Sequence, residues 1–146
     1  MYKRQLTGTP EVKVKVTYKG EVTLDNWIAK QDKDAAESYY CPLKVKVGND
    51  TLYGLNFASE DAFKAAIVGK IDAVSKEYSA GTDLSTVGGG DSLAISWEWE
   101  FEGANGTSVN RTDYADTCLG NKVADADTTN DAKITIKVIT TVTQID

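Results

Sequence analysis

The feature that most restricts the fold is residues 93–101, Leu-Ala-Ile-Ser-Trp-Glu-Trp-Glu-Phe, where Leu93, Ile95, Trp97, Trp99 and Phe101 alternate with Ala94, Ser96, Glu98 and Glu100. A period of two places successive side chains on opposite faces of a β-strand, so this stretch reads as the core strand, with one apolar face and one small or acidic face. Burying five such side chains is worth roughly 1.5–3 kcal/mol each, with an upper estimate near ~10 kcal/mol because an unfolded chain already hides some apolar surface. No other stretch concentrates as much.

Around that strand, 146 residues suffice for one domain, with residues 1–10 as an irregular or extended lead-in. Twenty-two acids, sixteen bases and no histidine give a net charge of -6, which argues against general affinity for nucleic acid or anionic membrane. No apolar run reaches the ~18 residues of a membrane span, and the first residues lack the basic-then-apolar pattern of a signal peptide. Either an export signal lies outside this sequence or there is none; the reading adopted is a truncated beginning. Cys41 and Cys118 permit one disulfide, which would close a long loop and add ~4 kcal/mol. Two buried thiols are the alternative, and two cysteines alone do not fix the redox compartment.

In chain order, Val12, Val14 and Val16 alternate with charged and polar residues as a first strand. Lys19-Gly20 reads as a turn, and Val22, Leu24 and Trp27-Ile28 as a shorter second strand or bend. Residues 31–38 read as an exposed polar loop. Leu43, Val45 and Val47 alternate with Lys44 and Lys46, and Gly48-Asn49-Asp50 forms a turn into Thr51-Leu52-Tyr53, giving a hairpin. The lysines of the two Val-Lys strands either face Glu98, Glu100 and Glu102 across strands or guard an exposed edge. Ser59-Glu60-Asp61 is a helix start, and Phe63, Ile67, Ile71, Val74 and Tyr78 recur at helical spacing, predicting an amphipathic helix over about 60–78 that Gly81 ends. Residues 110–120 read as loop with one helical turn. The β-branched run at 134–145 is a closing strand with Ile134, Ile136, Val138 and Val142 inward. The fold class is thus mainly β, with one inserted helix and short helical turns.

Few patterns carry chemistry. No phosphate-cradling motif is present, and the three glycines at 88–90 read as a flexible connection. Asp125, Asp127, Asn130 and Asp131 invite a calcium site, but the glycine and distal glutamate of an EF-hand loop are missing, so a solvated turn is preferred. Asn105 and Asn110 head glycan-acceptor triplets that carry little weight. Serine or cysteine nucleophiles have no imidazole to activate them. Glu98 and Glu100 share one strand face, whereas glycosidase carboxylates oppose one another across a cleft. No catalytic, cofactor or metal residue is assigned.

The string Ile95-Ser96-Trp97-Glu98-Trp99-Glu100-Phe101-Glu102-Gly103, then Ala115-Asp116-Thr117-Cys118-Leu119-Gly120 and the terminal Thr-Val-Thr-Gln-Ile-Asp, resembles the TasA/camelysin-like secreted proteins of Gram-positive bacteria. Tyr39-Tyr40-Cys41-Pro42-Leu43 and Ala80-Gly81-Thr82-Asp83-Leu84-Ser85 fit the same group in the same order, while the first 38 residues match poorly. The resemblance implies export through a SipW-type signal peptidase, a jelly-roll-like antiparallel β-sandwich, an extracellular-matrix or cell-surface location, and self-association into biofilm fibres. Other matrix or cell-wall components are further implied partners. Assembly in such proteins resembles donor-strand exchange, which makes Val12, Val14 and Val16, with whatever precedes them, the candidate donor strand here. Cys118 stands where relatives usually have alanine, which would make a bond to Cys41 specific to this lineage. Camelysin-type members are classed as metallopeptidases, but a chain without histidine lacks the imidazole ligands of such a zinc site, so no enzyme is expected. The competing class is an extracellular carbohydrate- or surface-binding module. Tyr39 and Tyr40 are its surface candidates, because Trp97 and Trp99 share the strand's core face.

Overall fold

The computed structural model describes residues 2–85, 92–99, 113–124 and 128–146. The described chain is mainly β, with antiparallel sheets and two helices. Its strands in order are β1 (Tyr2–Gln5), β2 (Val14–Asp25), β3 (Ile28–Lys30), β4 (Glu37–Tyr39), β5 (Leu43–Val47), β6 (Asp50–Tyr53), β7 (Ser75–Tyr78), β8 (Ser92–Trp99) and β9 (Lys133–Gln144). Helix α1 (Glu60–Asp72) lies between β6 and β7, and α2 (Asp113–Ala124) between β8 and β9. One sheet runs β1-β8-β5-β6, a second runs β7-β2-β9, and β3 pairs with β4 alone.

Strand β2 organises the second sheet. Val14, Val16, Tyr18, Val22 and Leu24 are buried while Lys19, Glu21, Thr23 and Asp25 are exposed, the alternation of a half-buried strand. All twelve residues pair with β9, from Val14 opposite Gln144 to Asp25 opposite Lys133. The expected turn at Lys19-Gly20 is therefore absent, and the two short strands expected around it are one. Packing explains why: Ile71 of α1 lies on Gly20, where an added Cβ would sit 2.9 Å from its Cδ1 and 3.1 Å from its Cβ. The glycine admits the helix. Asp72 then secures it by accepting the Gly20 N–H at 2.8 Å.

Helix α1 starts as expected, with Ser59 Oγ accepting the Ala62 N–H and two acids in the first turn. Phe63, Ile67 and Ile71 are fully buried, but the helix ends at Asp72 and not near residue 78. Residues 75–78 gain more as a strand. They pair with β2, which puts Tyr78 opposite Val14 and buries its ring, while Ser75, Lys76 and Glu77 stay exposed. The expected β5–β6 hairpin is present, with Val47 opposite Asp50 and Gly48 at φ 60° in a two-residue turn. In the expected polar loop, residues 30 and 37 instead close a small hairpin, where Asp32 Oδ1 accepts the N–H groups of Asp34 and Ala35.

Residues 113–124 form a full helix where one turn was expected. Ala115 and Leu119, one turn apart, are buried, Asp113 and Asp116 occupy the first turn and Lys122 the last. Lys122 Nζ reaches Glu37 Oε1 at 2.7 Å and the Ile28 carbonyl at 3.1 Å, tying α2 to the β3–β4 hairpin. From below, the buried Tyr40 hydroxyl donates to Asp116 Oδ1 at 2.9 Å.

Candidate functional site

The central strand β8 places Leu93 and Ile95 in the core, at 3% and 1% exposure, as its alternation requires. Trp97 breaks the expectation. It follows Ile95 on the same face and stands opposite the buried Val45 of β5, yet it is 51% exposed. Trp99 is only partly buried, and Phe101 lies outside the described residues. Alternation decides which way a side chain points. Whether anything covers that face depends on the opposing sheet.

Opposite Trp97 lies the outer strand of that sheet. Ile95, Trp97, Ile134 and Ile136 line an apolar cleft of about 90 Å³ between β8 and β9. The inward set expected for β9 has the expected orientation, since Ile134, Ile136, Val138 and Val142 pair with Leu24, Val22, Gly20 and Val16 on the buried face of β2. Only Val138 is buried; Ile134 and Ile136 are half-buried and Val142 is 51% exposed.

Two backbone edges border the cleft. Strand β1 pairs with β8 only from Gln5 opposite Ser92 to Tyr2 opposite Ile95, so the half of β8 carrying Trp97 is paired with β5 alone among the described residues. β9 pairs along its whole length with β2, and no described strand lies on its other side. The first sheet also carries one strand, β1, beyond β8, while the second ends at β9, which faces β8. One strand position beside β9 is thus empty among the described residues. The expected guard lysines are elsewhere, because both Val-Lys strands are interior. Lys44 stands opposite Glu98, with Nζ 2.7 Å from Oε2, as the cross-strand alternative anticipated, but Lys46 stands opposite Ser96, and Lys15 lies in the other sheet between Glu77 and Thr143.

The rim of this region is held by Trp27, expected from the sequence only as part of a short second strand or bend. Its backbone N–H donates to Glu60 Oε1 at 2.6 Å, its indole N–H to the Lys133 carbonyl at 2.8 Å, and its ring meets Trp99 edge-on with centroids 6.0 Å apart. Asn26, at φ 61°, turns the chain there and donates through Nδ2 to the Asp131 carbonyl at 3.0 Å. A single Asn after a strand was the available signal.

The remaining candidates fall elsewhere. Val14 and Val16 lie in β2, between β7 and β9, and Val12 precedes it at 41% exposure. As the strand stands, no donor is free there, because withdrawing it would dismantle its own sheet. Cys41 and Cys118 are both unbonded. The Cys41 sulfur packs against Gly54, and burial, its largest influence, pushes the thiol pKa up to about 12. Burial likewise raises the Tyr39 phenol well above its ordinary value, and its hydroxyl donates to the Gly54 carbonyl at 2.7 Å. Tyr40 is fully buried, so the expected tyrosine surface pair is not one. Asp125 and Asp127 lie outside the described residues; Asn130 ends a short 3-10 turn beside Asp131, and no cluster of three or more metal-ligating residues occurs among the described residues. The two glycan-acceptor triplets also lie outside them.

No protein-family model matches the chain, and comparison with curated proteins and with solved structures gives no significant match.

Proposed function

We propose that the protein is a secreted structural subunit or accessory of an extracellular fibre, of the biofilm-matrix or cell-surface kind, whose copies join by β-strand addition, without catalysis. The observation that carries this reading is the open side of the fold, where an exposed Trp97 in an apolar cleft adjoins two strand edges. Such a site suits an extended segment. Its backbone satisfies the edge while alternate side chains fill the cleft, giving affinity and register together. The two facing sheets fit a jelly-roll-like sandwich in which, among the described residues, this side carries one strand fewer. A donor segment would come from the N-terminal arm, β1 or residues before it, since β2 is committed to its own sheet.

One observation favours a second reading. A half-exposed tryptophan over an apolar cleft is also a sugar-stacking platform, so a carbohydrate-binding module is the alternative. Tryptophan fluorescence titrated with glycans separates the two. The fibre reading is tested by deleting residues 1–7, which removes β1 and spares β2; filament formation should be lost while the circular-dichroism spectrum keeps its β signature. Unchanged filaments would exclude the arm as donor. A deletion reaching residue 17 would cut into β2 and is uninformative.

A further inference from the structure

Helix α1 ends without a stop signal. Ala73, one residue past the helix, keeps right-handed helical angles (φ -74°, ψ -14°) and still donates to the Gly69 carbonyl at 3.1 Å. Helices commonly end on a glycine or asparagine in the left-handed region, with proline close behind. Here the first left-handed residue after Asp72 is Gly81, at φ 81°, and no proline follows Pro42. The apolar spacing also runs on, with Val74 three residues after the buried Ile71 and Tyr78 four after Val74. Local preference therefore continues the helix toward Gly81, while the sheet claims residues 75–78 as β7. That strand is held lightly. It is four residues long, three of them exposed, and Glu77 meets Lys13 at 3.1 Å with both side chains half-exposed, while Tyr78 is buried. β2 does not need β7 to stay in place, since all twelve of its residues pair with β9.

The β2 ladder fixes what β7 covers. The Ile145 N–H donates to the Lys13 carbonyl, extending the β2–β9 register by one residue. Backbone groups alternate sides along a strand, so odd-numbered residues of β2 bond to β9, and Val14 and Val16 turn their N–H groups toward β7. The even-numbered Gly20 agrees, giving its N–H to Asp72 Oδ1 on that same edge at 2.8 Å. Segment 72–78 thus runs along one edge of β2, pinned at Asp72 and laid down as a strand as far as Tyr78.

We propose that residues 74–78 are a helix–strand switch pivoting at Asp72: as β7 they cover the Val14 and Val16 edge, and as a further turn of α1 they uncover it. Four residues shorten from ~13 Å as strand to ~6 Å as helix. The largely exposed turn at 79–83 takes up the difference by opening, releasing the Gly81 N–H from the Pro10 carbonyl, while Leu84 stays in the core. In the helical state Val74 and Tyr78 continue the stripe of Ile71, and Asp72 keeps its bond to Gly20, so the rest of α1 stays in place. The switch goes beyond the fibre reading and stands without it. In an assembling chain it sets how often that edge is offered for pairing.

Substitutions at two exposed positions of β7 test this in the whole chain without touching the core. Ser75→Ala/Glu77→Ala favours helix and Ser75→Thr/Glu77→Thr favours strand, and both lose the same Lys13–Glu77 pair, so their comparison isolates backbone preference. Native-state hydrogen exchange followed by NMR should show the Val14 and Val16 amides exchanging roughly tenfold faster in the alanine variant than in the threonine variant. The Lys15 and Thr17 amides, bonded to β9, should exchange alike in both. Carbon-13 saturation transfer on the alanine variant should find a minor state with helical Cα shifts at residues 75–77. Coil shifts in that state would make β7 a fraying strand and overturn the proposal, and so would the absence of any minor state. Exchange at Val14 and Val16 that is equal in the two variants, or faster with threonine, overturns it as well.

Discussion

Trp97→Ala separates the two things an apolar residue on β8 can do. A fully buried tryptophan removes about 150–250 Å² from water. Trp97 is 51% exposed, so roughly 100 Å² is buried within the chain and a similar area awaits a docked strand. At ~25 cal/mol per Å², each half is worth ~2.5 kcal/mol, an upper estimate. Removing the ring should therefore lower folding stability by up to ~2.5 kcal/mol and weaken assembly by up to ~70-fold. Ile95→Ala, two residues earlier and 1% exposed, should cost ~3 kcal/mol in folding and affect assembly only through the unfolded fraction. Urea denaturation gives the first quantity, and the critical concentration from light scattering the second. If Trp97→Ala changes the critical concentration less than twofold while costing as much stability as Ile95→Ala, the ring is ordinary core and the cleft is not a docking site.

Other substitutions test the fold that frames the site. Gly54→Ala should destabilise by about 2–3 kcal/mol in urea melts, because the new Cβ falls on the Cys41 carbonyl and within 2.9 Å of its sulfur, backbone that cannot retreat. Cys41 should resist thiol reagents in the native state and react only on unfolding, while the partly buried Cys118 reacts first. Because the folded Cys41 pKa is raised from 9.0 to about 12, the unfolded chain loses this proton first; stability is full below pH 9 and falls as pH rises toward 12. Cys41→Ala should flatten the onset of that decline in melts across pH, ahead of the Tyr39 contribution, which begins as pH passes the ordinary phenol value of 10.0. A Lys44/Glu98 double-mutant cycle should return about 0.5 kcal/mol, shrinking in high salt, since Glu98 is largely exposed.

What was legible came from local physics. The β5–β6 hairpin followed from its turn residues, the start and buried stripe of α1 from its cap and spacing, and the inward set of β9 from period-two alternation. Elements fixed by distant partners were not legible. Gly20 looks like a turn until Ile71 is seen lying on it, and residues 75–78 complete a helical spacing until β2 offers them a ladder. Helix α2 is largely polar and contains Gly120, so its two buried anchors, Ala115 and Leu119, gave little periodic signal. The site itself illustrates the same limit. Trp97 was read correctly as sharing a face with Ile95, but its exposure depends on the opposing sheet, whose outermost described strand is β9 and which no window around residue 97 contains.

The most direct test of the central claim is negative-stain electron microscopy of the protein, with size exclusion across a concentration series. Self-association through the open side of the fold predicts higher-order species that grow with concentration and end in ordered filaments, and their loss in Trp97→Ala. Monomers at every concentration, with and without seeds, would contradict it.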